Sequence, residues 1–494
     1  MLRSSGRLRA RLAMLLVLVL PGAALAVLPE PVERVARALG VPATGVSIWV
    51  QEVGAPAPVL THLPDVARSP ASTMKLLTTW AALQGLTPAY SWKTEVYALG
   101  PIEDGVLEGD LLLRGYGDPY LVSEEYWKLI SAVRQSGVRR IEGDLVIDSS
   151  YFALPEEARG DFDGQPDRVY NLPPSALLVN FNAVRFEFSQ GADGVEVLAD
   201  PQLPNVDIDN RLGLANTGCG GYQRGVALNV VDAQAPRDRV MLEGRFPTGC
   251  DLYAMTRTVL EPESYAFGLF DVYWRQLGGD LTGRWRIGSL PPGLVPVDPQ
   301  TGVADPTASE ALVHVHRSRP LGDVVRLVNK FSSNVMTRHL QLTLGAERFG
   351  GPATEANGDA AIREILTRFA IPVDGLVIDN PSGLSRTARI SARQMGSLLV
   401  TAWDAPYMPE FVSSLGLSGL DGTVRGRFVD TPAAGRMHLK TGTMDDVSAI
   451  AGYVQAADGR RYAVVVFVNA PIAHRGPGEE IQNALLRWVF EREG

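Results

Sequence analysis

Apolar positions along the chain follow two periods, and the period changes twice. Residues 29–40, PEPVERVARALG, carry helical spacing and stop at Gly40, which predicts a short helix. Val46-Ser47-Ile48-Trp49-Val50 and the PAPVLTHL string at 56–63 predict the two strands of a hairpin. The string PASTMKLLTTWAAL follows, and its spacing predicts a helix that turns Leu76, Leu77, Trp80 and Leu83 into a core. From about Lys93 to about Pro262 the texture is one of short strands, such as LEGDLLLRG, IEGDLVIDSSYF, AVRFEFS and GVEVLA, parted by Gly, Pro, Asp and Asn. Helical periodicity returns at 264–279, 320–331, 353–370 and 391–404. Near the end come HLKTGT, a strand-like hairpin over 449–469 and a closing helix in which Ile481, Leu485, Trp488 and Val489 share one face, the spacing of a core helix.

This order predicts one α/β (α+β) domain built from both ends of the chain, with antiparallel strands from 45–62 and 438–470 flanked by helices. Residues 27–93 and 265–494 are expected to form it. Residues 94–264 are expected to be an inserted, mainly β module of one or two subdomains. No internal repeat or low-complexity tract is present.

The amino terminus adds a compartment. Arg3, Arg7, Arg9 and Arg11 precede the apolar run LAMLLVLVL, the breaker Pro21-Gly22 and the small-residue site Ala24-Leu25-Ala26. That is the order of an export signal, expected over 1–26 with cleavage after Ala26. Spanning a bilayer takes about 20 apolar residues, so a retained anchor is the weaker reading. Release into the periplasm, with at most peripheral membrane association, is the expectation. In such a compartment the only two cysteines, Cys219 and Cys250, are expected to form one disulfide. The net charge of −9 argues against nucleic acid as a partner.

Candidate chemistry begins at PASTMK. On a helix, residues i and i+3 share a face, so Ser72 and Lys75 are neighbours, and the helix start sets N–H groups beside Ser72. A serine hydroxyl attacks only when a base takes its proton, and an amine is that base only when burial or a nearby cation lowers its pKa. Alone, SxxK is a weak signal. The chain has only five lysines, Lys75, Lys93, Lys128, Lys330 and Lys440, with arginine in nearly every other basic position. Arginine cannot serve as a base, so the retained lysines carry information. Two more strings follow in order: Ser332-Ser333-Asn334, an SxN string at the end of a helical pattern, and Lys440-Thr441-Gly442-Thr443 on a strand before a hairpin. Each alone fits an ordinary helix end or strand edge, but the three in this order point to nucleophilic catalysis.

With these motifs the chain resembles the penicilloyl-serine superfamily, and within it the class C low-molecular-mass penicillin-binding proteins, the D-alanyl-D-alanine carboxypeptidase/endopeptidases. The resemblance extends to GYGDPYL at 115–121, IEGDLVIDSSYF at 141–152, NLPPSALLVNFNAV at 171–184, HRSRPL at 316–321, SGLSRTARIS at 382–391 and SGLDGTVRGRF at 418–428. It implies a serine β-lactamase/penicillin-binding transpeptidase-like domain with a large insertion between the first and second motifs. It also implies peptidoglycan stem peptides as substrates, β-lactams as covalent inhibitors and no cofactor. Residue by residue it implies Ser72 as nucleophile, Lys75 as base, Ser332 as proton relay, Asn334 as a substrate-orienting amide and Lys440 as the cation that keeps Lys75 neutral. Thr441, Gly442 and Thr443 would bind substrate, with the N–H groups of Ser72 and Thr443 as oxyanion hole. Pro381 and Phe331 depart from the family pattern and are expected to affect loop shape and substrate preference more than chemistry.

Rival readings fit less well. A class A β-lactamase needs ExxLN, and the Leu228-Asn229 pair has Gly225 at the glutamate position; a class C one uses YxN where this chain has Ser332-Ser333-Asn334. A serine esterase or a catalytically silent peptidoglycan-binding protein does not need the whole set. His314 and His316 lack a third ligand at a recognisable spacing, so no metal is expected. Asp118, Asp144 and Asp148 beside glycines read as turn and strand-end residues.

Overall fold

The structure, a computed structural model, describes residues 28–220, 225–232, 237–294 and 311–492. The expected export signal lies outside them. Six strands form an antiparallel sheet in the order Gly416–Leu417, Met437–Met444, Val447–Gln455, Arg461–Asn469, Val46–Glu52 and Leu60–His62. Both ends of the chain thus meet in one sheet, with Val50 opposite Val464 and Ile48 opposite Val466. The run YAVVVFV is apolar throughout because both faces of its strand are covered. Val464, Val466 and Val468 face the helices Glu30–Ala38 and Pro477–Phe490, whereas Ala463, Val465 and Phe467 face a larger helical layer on the other side.

At the centre of that layer lies the helix Met74–Leu86. It is apolar on nearly every face, and Leu76, Leu77, Trp80 and Leu83 are all buried, as a helix enclosed on all sides requires. Around it pack Leu321–Phe331, Asn334–Phe349, Glu355–Arg368 and Ala392–Asp404. A fully buried leucine contributes about 1.5–3 kcal/mol, so this packing holds the start of the central helix in place. Among the described residues no helix is long and apolar enough to cross a membrane.

The module between the first two motifs has its own core and four smaller sheets. Its five-stranded sheet runs Trp285–Ile287, Leu145–Asp148, Asp110–Gly115, Lys93–Leu99, Leu312–Arg317. The strand Val206–Gly218 runs parallel to Asp238–Gly249, and the Cys219–Cys250 disulfide ties their ends. Two sets of contacts cross the boundary expected at 264. The helix Pro262–Gln276 buries Tyr265, Leu269, Phe270 and Trp274 in the module core, and Leu312–Arg317 pairs with Lys93–Leu99, setting Arg317 opposite Lys93. Among the described residues, the helix Pro262–Gln276 and the strand Leu312–Arg317 thus share a core or a sheet with the module. It also contains the 13-residue helix Ser123–Gln135, which the short-strand texture hides.

Module and catalytic domain meet along the helix Asn334–Phe349. Arg338 donates to both carboxylate oxygens of Glu157, and His339 Nδ1 lies 3.0 Å from the Gly117 carbonyl. The three flagged aspartates serve turns and strand ends: Asp118 accepts from Tyr120 N, Asp144 from Arg284 N, and Asp148 from Ser150 N and Leu290 N.

Candidate active site

Pro70 leads into a 3-10 turn, Ala71–Thr73, which continues as the central helix. Ala71 has a φ of 44°, in the left-handed region that costs a residue with a Cβ of order 1 kcal/mol or more. That bend leaves Ser72 half-buried at the helix start while Lys75, one turn on, is fully buried.

The Lys75 amine has three neighbours. It lies 3.0 Å from Ser72 Oγ, 2.7 Å from Asn334 Oδ1 and 2.7 Å from the Ser382 carbonyl. The last two groups only accept, so a neutral amine spends both its N–H bonds on them and aims its lone pair at the Ser72 hydroxyl. Burial, reinforced by the charge of Lys440, holds the Lys75 pKa well below the ordinary lysine range. The geometry and the electrostatics therefore agree on a neutral amine facing a serine hydroxyl.

Lys440 is also fully buried, and burial lowers its pKa to about 7. Its Nζ donates to Ser332 Oγ at 3.0 Å and to the Thr441 carbonyl at 2.8 Å. Ser332 ends the helix Leu321–Phe331 in a left-handed conformation, and Ser333 caps the next helix, which begins at Asn334. The SxN string is thus a joint between two helices, and the joint turns Ser332 toward one lysine and Asn334 toward the other. Asn334 Nδ2 donates to the Tyr170 carbonyl of the module at 3.1 Å, leaving its second N–H for a substrate.

Gly442 explains itself by distance. A Cβ there would lie 2.7 Å from both the Pro70 carbonyl oxygen and the Ser72 nitrogen, so only glycine lets the strand pass against the nucleophile turn. Thr441 and Thr423 share a hydrogen bond of 2.7 Å between hydroxyls, and Thr443 is exposed on the strand edge. All eight residues predicted from the motifs are accordingly brought to one place.

Sequence reasoning missed two contributors. The Ser382 carbonyl belongs to the SGL string, where only the departure at Pro381 drew attention. Gly383 closes that loop on the nucleophile turn, where a Cβ would fall 1.9 Å from the Ala71 carbonyl oxygen. Tyr170, from the module, is the other. An open groove of about 460 Å³ adjoins the site, lined by Tyr120, Tyr170, Phe181, Leu327, Phe331 and the residues from Ser332 to Met336, among others. Phe331, the second departure, is a largely exposed wall of it. His314 and His316 lie on a module strand, and among the described residues no group of three His, Cys, Asp or Glu side chains is placed to hold a metal ion.

The model of the D-Ala-D-Ala carboxypeptidase 3 (S13) family matches residues 32–491. The chain belongs to this family. It is 30% identical over 435 residues to the D-alanyl-D-alanine carboxypeptidase of Actinomadura sp. (strain R39), covering 86% of this chain and 77% of that one. It is 26% identical over 404 residues to the D-alanyl-D-alanine carboxypeptidase DacB of Haemophilus influenzae, covering 81% and 80%. The crystal structure of penicillin binding protein 4 (dacB) from Haemophilus influenzae superposes with a TM-score of 0.75 at 22% identity, covering 93% of this chain and 99% of that one. The expected transpeptidase-like fold is thereby confirmed, and the chain is a serine-type D-Ala-D-Ala carboxypeptidase of the S13 family.

Proposed function

We propose that Ser72 attacks the carbonyl carbon of the penultimate D-alanine in a peptidoglycan stem peptide while its proton passes to the lone pair of Lys75. The three-way hydrogen bonding of the Lys75 amine carries this reading, because it leaves one orbital free and points it at Ser72. The tetrahedral oxyanion would sit on the N–H groups of Ser72 and Thr443, each donor contributing about 3 kcal/mol in comparable sites. The C–N bond then breaks. Ser332 hands its proton to the departing amine and is replenished by the proton that Lys75 took from Ser72; it is steadied by Lys440, whose positive charge also disfavours a second cation on Lys75. Asn334 orients the peptide, Thr441 and Thr443 hold the terminal carboxylate or donor strand, and water releases the acyl group. A β-lactam would acylate Ser72 by the same first step.

The order of features in residues 1–26 supports export and action in the periplasm. Ser72→Ala tests the assignment: both D-alanine release and covalent labelling by fluorescent penicillin should vanish, and labelling that persists would refute it. Digestion of purified sacculi sorts the two D,D-activities. Loss of pentapeptide monomers alone marks the carboxypeptidase, and a fall in cross-linked dimers marks the endopeptidase.

A further inference from the structure

Three of the five lysines, Lys75, Lys330 and Lys440, are buried around one site. The first and third meet Ser72 and Ser332. Lys330, two residues before Ser332 on the same helix, instead directs its Nζ to the Asp421 carboxylate. Asp421 is itself fixed: its Oδ1 accepts from Leu417 N at 2.8 Å and its own N–H donates to the Leu417 carbonyl at 3.0 Å. Leu417 lies on the short strand that pairs with His438 and Leu439, directly before Lys440. Gly422 follows with a φ of +63°, and a Cβ on it would lie 2.9 Å from Gly416 Cα and 3.5 Å from the Lys330 carbonyl oxygen. This turn is therefore seated on the last turn of the helix. The next residue, Thr423, makes the hydroxyl contact to Thr441.

These contacts form a closed circuit. It leaves Ser332 through Lys330, crosses to Asp421, passes Thr423 to Thr441, and returns from Lys440 to Ser332 across 3.0 Å. Ser332 has left the helical conformation, so the helix ladder does not hold its hydroxyl in place. Something on either side of it must. We infer that Lys330 is a positioning residue: with Asp421 it clamps the helix end carrying Ser332 to the strand carrying Lys440 and Thr441, and so sets the Ser332–Lys440 contact. The inference rests on the relay role proposed for Ser332. A partnered, buried cation suits this task, since loss of Asp421 leaves Lys330 buried without its counter-charge. An ion pair that served stability alone would leave the turnover of folded enzyme unchanged.

The test compares Lys330→Met, Asp421→Asn, their double variant, Lys330→Arg and Ser332→Ala at a temperature where circular dichroism shows each to be folded. Readouts are kcat and KM for D-alanine release and the rate of acylation by fluorescent penicillin. Misplacing a catalytic group from a distance costs up to about a hundredfold, and a displaced hydroxyl still within reach of Lys440 should cost about tenfold in kcat. The two single variants should show that loss with KM changed less than about twofold, the double variant should be no worse than either, and arginine should restore most of the rate. Wild-type kcat in Lys330→Met, a loss confined to KM, or a double variant that falls by the product of the singles overturns the clamp. Should Lys330→Met fail to fold, Asp421→Asn and Lys330→Arg decide by the same criteria. If Ser332→Ala acylates at the full rate, the relay falls and the clamp with it. If Ser332→Ala is slow while Lys330→Met is not, only the clamp falls.

Discussion

Replacing Lys440 with methionine should stop the chemistry and yet stabilise the protein at neutral pH. Burial takes this lysine from its ordinary value of 10.5 to about 7. At pH 7 the unfolded chain keeps the proton fully while the folded site keeps it about half the time, so folding works against protonation. At 1.36 kcal/mol per pKa unit the cost is about 4 kcal/mol. Methionine fits a similar volume without that cost, but it withdraws the donors to Ser332 Oγ and the Thr441 carbonyl, a loss of about 1 kcal/mol each. The net gain is about 2 kcal/mol at pH 7, a rise of a few degrees in Tm. Its sign depends on pH. Between the folded and unfolded pKa values the unfolded state binds more protons, so wild-type stability rises with pH across that window, and by about pH 9.5 the cost has shrunk to about 1 kcal/mol. There the variant should match the wild type or fall slightly below it. Thermal unfolding of both proteins at the two pH values, with penicillin labelling as the activity control, checks the reasoning. A variant less stable than wild type at pH 7, or a Tm difference that ignores pH, would refute it.

Other outcomes follow from the same geometry. Gly442→Ala drives a Cβ against the backbone at Pro70 and Ser72, so it should cost about 1–3 kcal/mol in stability and nearly all penicillin acylation, read by denaturation and labelling. Acylation should weaken on acidification, as a proton on Lys75 occupies the lone pair that must accept the Ser72 proton, and this acid limb should appear in kcat. Above about pH 7 the charge on Lys440 is lost, so its support of Ser332 weakens and kcat for D-alanine release should fall on the alkaline side, read from the pH profile of kcat. Cys219→Ser opens a loop of 31 residues far from the reacting groups; it should destabilise the module by about 3 kcal/mol under oxidising conditions and leave acylation intact.

What the sequence disclosed and what it concealed divide along physical lines. Ser72 and Lys75 are legible because helix geometry alone makes i and i+3 neighbours. The central strands are legible because two covered faces demand unbroken apolar runs. The helix Asn334–Phe349 escaped notice because Thr337, Arg338, His339, Gln341 and Thr343 are all buried, which erases the apolar stripe that marks a helix. Arg338 and His339 find partners on the module side, and the Trp92 indole donates to Thr343 at 2.8 Å. The carbonyls of Ser382 and Tyr170 serve the site through backbone atoms, which leave no signature in side-chain identity. The contacts that cross residue 264 are hidden for a related reason: the period of residues 264–279 reveals a helix but not which core it joins.

The strand pair at the root of the module has a consequence for the chain's architecture. Lys93 faces Arg317, and Trp92 and Ser318 exchange two further hydrogen bonds, so more than two hundred residues leave and return through a neck two strands wide. Because entry and exit already touch, the loop-closure cost of hosting the module rises only slowly with its length, by about 0.6 kcal/mol per doubling. The serine, the two lysines and the sheet beneath them never register its length. Selection is then free to lengthen, trim or remodel the lobe, constrained where it touches back, as at Tyr170, Glu157, Gly117 and the Tyr151–Ala153 segment against Ala353. The family's chemistry and its reach over the cell wall can in this way evolve on separate clocks.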